Sequence, residues 1–401
     1  MATALTLDAR RQAAAARLST LATPTFRGVP GWEFTPIEKL DLDAFPVVTG
    51  GTAPSSFGLE APVRPLSGPM AREAPPEGAI VLPLAEAAER HPELVERHLG
   101  SVVTSDSPFV ARNDAHWTDG TFVYVPAGTT VEAPIVVSTA HEQGGSALHW
   151  RLLVVLEEDA QASVWHESSS APEGLVNGVV ELVVGQSARL RFVDLQDLEE
   201  STWVFGAQRA TVARDASLDW ITLGFGSANG KVFQETQLAG PGAHGTVTGA
   251  YAARGRQHLD FDTLQEHAAP DTTSDLAFRG ILSGRASAVW RGMIKVDPGA
   301  QRTDAFQESR NLLLSKRAHA DAIPGLEILA NDVRCTHAAA IAQLDPEQLF
   351  YLRAHGLPEA VAHRLVVEGF LQALVERFEE GPVREAVGAA LTRRLETVLG
   401  A

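Results

Sequence analysis

A short turn signal ending in alanine recurs six times between Asp159 and Ala300, and each copy opens a strand-like run. The alanines are Ala160, Ala188, Ala216, Ala243, Ala286 and Ala300, and the first four stand 28, 28 and 27 residues apart. The 43-residue gap to Ala286 is close to three half-periods of 14, and Ala300 follows one half-period later. A coil of 28 residues built from two strands accounts for this spacing. After Ala160, Ala188 and Ala216 the alternation keeps one phase. Ala162 and Val164, Leu190 and Phe192, Leu218 and Trp220 fall on one face; Gln161, Arg189, Arg191, Ser217 and Asp219 fall on the other. Side chains alternate across a strand, so one face is buried and one is wet. A unit this small cannot bury its apolar face alone and must stack on its neighbours, which is the logic of a solenoid. The centre of the chain therefore reads as a β-helix. Arg302 and Asp304 break the phase, which requires that they pair with each other or that their coil is offset.

The chain has 401 residues, 45% of them apolar, enough for a large core. Fifty acidic against 33 basic residues give a net charge of −17, which opposes binding to nucleic acid or an anionic membrane. A single cysteine excludes a disulfide framework, and the sequence shows no charged-then-apolar leader and no apolar run near membrane-spanning length. These features predict a cytoplasmic protein.

The flanks read differently from the centre. Residues 7–22 are alanine-rich and helical by propensity, and residues 84–99 return to helical spacing with a break at Pro92. Between them, Gly50 to Gly78 is dense in Pro, Gly and Ser and reads as a linker or extended arm. Gly120 to Ile135 predicts a strand, a Pro-Ala-Gly turn and a second strand closed by Pro134, forming the first coil. The helical N-terminal region is expected to cap that end of the solenoid, where unpaired backbone needs cover. After Asp345 the period becomes helical. Asp345-Pro346 reads as an N-cap with proline at the first helical position, and Gly356 as the stop. A longer helix from Pro358 carries an apolar stripe of Val367, Phe370, Leu371, Leu374 and Phe378, to be buried within the C-terminal bundle or to dock a partner. The expected division is thus 1–115, N-terminal helical and linker region; 116–344, β-helix core; 345–401, C-terminal helical domain.

Cys335 and His337 stand two apart, so on a strand they leave the same face and could meet one soft or borderline metal. Two ligands do not close a site. Iron–sulfur clusters usually take four thiolates and structural zinc four N or S ligands, so any such group must be shared with another subunit or held transiently. The alternative is that Cys335 is a small buried hydrophobe and His337 its polar neighbour. The segment Gly226 to Lys231 resembles a phosphate loop, but Phe225 replaces its first glycine and Val232 its Ser or Thr, so no nucleotide site is predicted. His258 and His267, with Asp260, Asp262 and Glu266, suggest either a hydrolase or metal site or, more simply, a solvated polar ladder. Acidic rows on β-helices can act on polysaccharides, and Asp260, Asp262 and Asp297 are the carboxylates for that reading.

The ordered series HLDFDTLQEHAAPDTTSDLAFRGIL, WRGMIKVDPGAQRTDAFQESRNLLLS, PGLEILANDVRCTH and QLFYLRAHGLPEAVAHRLVVEGF resembles the SufB/SufD family of iron–sulfur cluster assembly proteins over most of residues 115–380. The resemblance implies a right-handed parallel β-helix with helical regions at both ends of the chain. It also implies a SufB-type cysteine within the segment corresponding to RNLLLS and a His-Glu pair corresponding to His337-Ala338. Neither the cysteine nor the glutamate is present, and GWEFTPIEKL at Gly31 to Leu40 also looks like SufD. By similarity, then, this is a SufD-like scaffold without enzymatic activity of its own. It is expected to pair with a SufB-like paralogue and, through Val367, Phe370, Leu371 and Leu374, with a SufC-like ABC ATPase. A sulfur donor system would act on it only indirectly. His337 is the implied iron ligand facing the partner's cysteine, with Cys335 beside it, at an interface where a nascent cluster forms. Ala338 departs from the family's usual glycine, and no residue pattern assigns a flavin. A homodimeric scaffold is the remaining alternative.

Overall fold

The computed structural model describes residues 6–25, 29–51, 64–65 and 78–399. Two nine-stranded sheets face each other along a solenoid. One contains β1 (Arg64–Pro65), β4 (Ile135–His141), β6 (Gln161–Ser170), β8 (Arg189–Asp197), β10 (Ser217–Phe225), β12 (His244–Ala253), β14 (Thr273–Leu282), β16 (Thr303–Leu313) and β18 (Val333–Gln343), in that order. The other runs from β2 (Ile80–Pro83) through β3 (Asp119–Val125), β5 (Ala147–Leu156), β7 (Leu175–Val184), β9 (Trp203–Val212), β11 (Asn229–Leu238), β13 (His258–His267) and β15 (Ser287–Val296) to β17 (His319–Ile328). Apart from the antiparallel β2–β3 pair, every ladder is parallel, because each strand meets its equivalent one full coil later. The fold is a mainly β, parallel solenoid with helices at both ends of the chain.

The alanine signal has a simple origin. Ala160, Ala188, Ala216 and Ala243 sit at the tight turn into β6, β8, β10 and β12, where the chain folds inward around a small, buried side chain; all are 0–1% exposed. Ala286 makes the same turn into β15 of the opposite sheet, which explains the half-period jump. The register carries the expected phase: Leu190 lies on Leu218 and Phe192 on Trp220, all interior, whereas Arg191 lies on Asp219 outside and pairs with it at 2.8 Å. Arg302 and Asp304 obey the same rule once the turn is counted correctly. Extra residues after Ala300 shift the strand, so Asp304, not Gln301, lies beside the outward Thr273. The alanine slot passes to Thr272 and Thr303, whose hydroxyls lie 3.3 Å apart. Arg302 pairs with Asp271 and Asp304 with Arg334, not with each other.

Both flanks cover the outer faces of the sheets. Helices α1 (Leu7–Leu18), α2 (Leu84–Arg90), α3 (Pro92–His98) and α4 (Pro108–His116) lie beside the early coils of the second sheet. Pro92 restarts the helix as α3, as its missing N–H allows at a first position. Asn113 of α4 donates to the Trp150 and Asn177 carbonyls, and Asp114 bridges Arg10 of α1 to Arg151 of β5. Arg151 also meets Glu181 at 2.9 Å, and its burial lowers the guanidinium pKa to about 10. The N-terminal region is therefore more than an end cap: β2 covers the edge of β3, and the helices shield a sheet face.

Two local expectations change. Among the described residues, the strand expected to close at Pro134 makes only the Thr130–Gln161 bridge, and β4 begins after the proline, which has no N–H for the ladder. Within the expected linker, Arg64–Pro65 pairs as a strand with Val137–Ser138, while 52–63 and 66–77 lie outside the described residues. At the other end, Asp345 caps α5 (Pro346–Ala354) by accepting from the Glu347 N–H at 2.9 Å, and Gly356 ends it at φ 88°. Helices α6 (Glu359–Val375) and α7 (Pro382–Leu399) follow.

Candidate functional site at the open end of the solenoid

Among the described residues nothing pairs with the far edge of the last coil. β18 pairs there only with β16 and β17 only with β15, so both present a free parallel edge among these residues. Leu326, Ile328, Leu329 and Ile341 are 37–52% exposed there. An apolar edge with unpaired backbone is a template for another chain.

Cys335 and His337 lie on this edge and share a face, as their spacing requires. Cys335 continues the interior row Leu218, Gly245, Ser274, Ala305, and His337 continues Trp220, Val247, Leu276, Gln307. They therefore face the mouth of the solenoid, not its outer wall. His337 is exposed and makes no hydrogen bond among the described residues, which leaves both ring nitrogens available. Cys335 is half-buried against Ile294, Val296, Ala300 and Ala305, and burial, with Asp304 nearby, pushes its thiol pKa up. A protonated thiol is a poor ligand, so of the two the imidazole is the better donor. Among the described residues no three His, Cys, Asp or Glu side chains converge as a metal site.

The acidic cluster of β13 is not the solvated ladder its composition suggests. Asp260 is 3% exposed, bonded to the Thr35 hydroxyl and to Lys231 Nζ at 2.8 Å, with Asp262 3.3 Å from the same ammonium. Trp32 stacks on Phe109 at 5.0 Å over this region, so residues 29–45 cover it. Glu266 is held by Arg209 and Lys295, Asp297 by Lys295, and His267 turns inward to Thr272 and Ser274. The same Lys231 ends the phosphate-loop-like segment, and it is consumed in this ion cluster. On the outer face of the other sheet a groove runs past Arg191–Asp219 and Arg377–Asp275, both ion-paired. No free acidic pair for glycosidic chemistry is presented at Asp260, Asp262 or Asp297.

Sequence comparison supplies the family. The model described as SUF system FeS cluster assembly, SufBD core domain, matches residues 137–370, and that of the SufBD protein N-terminal region matches residues 68–137. The chain belongs to the SufBD family. An iron–sulfur cluster assembly SufBD family protein of Mycobacterium tuberculosis is 32% identical over 369 residues, 89% of this chain and 92% of that protein. The Bacillus subtilis assembly protein SufD is 28% identical, with 82% and 76% covered, and SufB of the same organism 27%, with 78% and 67% covered.

In this SufBD chain the stripe on α6 is not a free docking face. Val367, Leu371 and Leu374 are 0–4% exposed and share one buried apolar cluster with Trp165, Val193, Ile221 and Ile281; Phe370 is half-buried, its ring near Arg279. The outer wall of the first sheet is apolar at these positions and takes α6 and α7 as its cover. Cutting the chain after Leu344 would strip that wall and expose the apolar side chains beneath it. The residues the sequence reading missed are on α5, which buries none of its side chains: Phe350 is 74% and Tyr351 62% exposed, with Val361 and Leu365 of α6 above 40%. Their signal was present, since two adjacent large apolar residues cannot both face one core on a helix. No described helix is long and apolar enough to cross a membrane.

Proposed function

We propose that this chain is a non-catalytic, SufD-like scaffold of the cytoplasm that pairs edge to edge with a SufB-like paralogue and works with a SufC-like ABC ATPase. The observation that carries the reading is the open last coil: a free apolar edge with an unpartnered imidazole at its mouth. In this reading the nascent iron–sulfur cluster is cargo at the interface. His337 supplies one nitrogen from here, and the thiolates come from the partner, because this chain has one cysteine and its thiol is held protonated. Sulfur would arrive through the partner's donor system.

His337→Ala is expected to leave the melting temperature of the complex unchanged, since the ring is exposed and unbonded, while cluster-dependent enzyme activity in a strain relying on this pathway falls sharply. Cys335→Ser should cost less activity. Unchanged activity in His337→Ala, or a large loss of melting temperature, overturns the ligand assignment. Co-expression with genomic neighbours and native mass measurement separates the heteromeric complex from a homodimer.

The ATPase surface moves from the buried stripe to α5 and the start of α6. Phe350→Ala with Tyr351→Ala is expected to lower ATPase retention at least about ten-fold, as for paired aromatic anchors at an interface, with the solenoid's stability untouched. Full retention by the double variant in a pull-down would show that the ATPase docks elsewhere.

A further inference from the structure

One rung beneath His337, on the same interior face, stands Gln307. It is completely buried, and its amide nitrogen donates to two carbonyls of the opposite sheet, Gly292 at 3.2 Å and Gly325 at 3.1 Å. Those bonds consume both N–H groups and fix which way the amide points. Its carbonyl oxygen is then inaccessible to solvent and has no hydrogen-bond partner. Gly292 is required for this arrangement, because a Cβ there would come 2.6 Å from that oxygen. A buried acceptor without a donor is costly, and native structures seldom leave one so. The next interior residue on the rung below is Leu276, which has no polar atom; on the rung above it is His337, about 4.8 Å away along the ladder.

Resting on the cluster-ligand reading of His337, we propose that Gln307 is a positioning residue: its Oε1 accepts from Nδ1–H of His337 and so holds the Nε2 lone pair outward, toward the partner subunit. An imidazole that ligates iron through one nitrogen needs the other to carry the proton, and a fixed acceptor decides which. The free chain leaves the ring exposed, and the hydrogen bond requires a rotation of the His337 side chain that uncovers Oε1 and brings Nδ1 over the amide. Covering the open edge would favour that rotation by removing water as the competing acceptor.

The test is the tautomer of His337, read by long-range 1H–15N correlation at mildly alkaline pH on the full-length protein in the complex co-purified with its genomic neighbours, where the edge is covered, with His337→Ala assigning the signal. The neutral side chain in water favours the Nε2–H form. The proposal expects Nδ1–H in the wild type and reversal to Nε2–H in Gln307→Leu. In the assembled complex the same variant should form about ten-fold less cluster, the usual scale for a lost partner behind a metal ligand. Gln307→Met, which keeps the shape without the acceptor, gives the same reading should the leucine variant not fold. A wild-type Nε2–H form, or a tautomer indifferent to residue 307, overturns the proposal. A tautomer that switches while His337→Ala retains full cluster-dependent activity would instead sink the ligand reading and leave the hydrogen bond standing.

Discussion

Between about pH 6.5 and pH 4 this protein is expected to lose conformational stability. Burial holds three histidines neutral: His258 and His267 are lowered to about 4, and His149 to about 3. In the unfolded chain these rings take up a proton near pH 6.5, while in the folded state they cannot, so acid favours unfolding. Their stabilising contribution is complete above the unfolded value. It is lost as the pH falls from there to the folded value and then levels off. Each shift corresponds to about 3 kcal/mol or somewhat more, so the three together rival the ~5–15 kcal/mol that holds a typical domain. Asp119, Asp260, Asp262 and Glu235 act in the opposite sense, since burial raises their pKa values and protonating them favours the folded state. Their offset sets in as the pH falls through their raised folded-state values, above the ordinary carboxylate range, and is complete below that range, so it opposes the lower part of the histidine loss. Denaturant midpoints measured across this window should fall, and His267→Gln should flatten the fall. A midpoint that holds constant down to about pH 4 would show that the histidines are not buried neutral.

Phe192→Asp should abolish folding, whereas the adjacent Arg191→Asp should be tolerated. Phe192 is fully buried and meets Trp220 edge-on at 5.7 Å, so the exchange removes a large ring and places a charge in the core, a loss above about 5 kcal/mol. Arg191 is 42% exposed in an ion pair with Asp219, and its reversal should cost at most about 1 kcal/mol. Soluble yield and chemical denaturation of the two variants distinguish them. Comparable stability would mean that the strands are out by one residue, because a single slip exchanges the two faces.

Where the alternation was strict, the interior was readable before any coordinates: Leu190, Phe192, Leu218 and Trp220 are all inside. The turn alanines carried the coil length, and Asp345, Pro346 and Gly356 marked one helix from end to end. Arg302 misled because turn length is not encoded in the period: extra residues after Ala300 move the strand without any change in its composition. The polar run of β13 misled for another reason. Its carboxylates look solvent-facing by parity, and they are outward, but outward is not exposed when residues 29–45, more than 200 positions away, lie over them.

The candidate site divides in the same way. Cys335 and His337 were identifiable as same-face residues, since two-residue spacing on a strand is a local property. Which face, and that it belongs to an uncovered coil, depends on the register with Ala305 and Gln307. Apolar periodicity on α6 left burial and docking both open, and the exposed helix α5 became recognisable only once the structure showed that it buries none of its side chains. The sequence by itself determined the coil, its phase and the helical ends, because these follow from short-range alternation and from residues that start or stop a helix. Only the tertiary structure decided which outward faces are roofed, which edge stays open and which buried amide lies beneath His337. Those depend on contacts between segments far apart in the chain, and no local pattern records them.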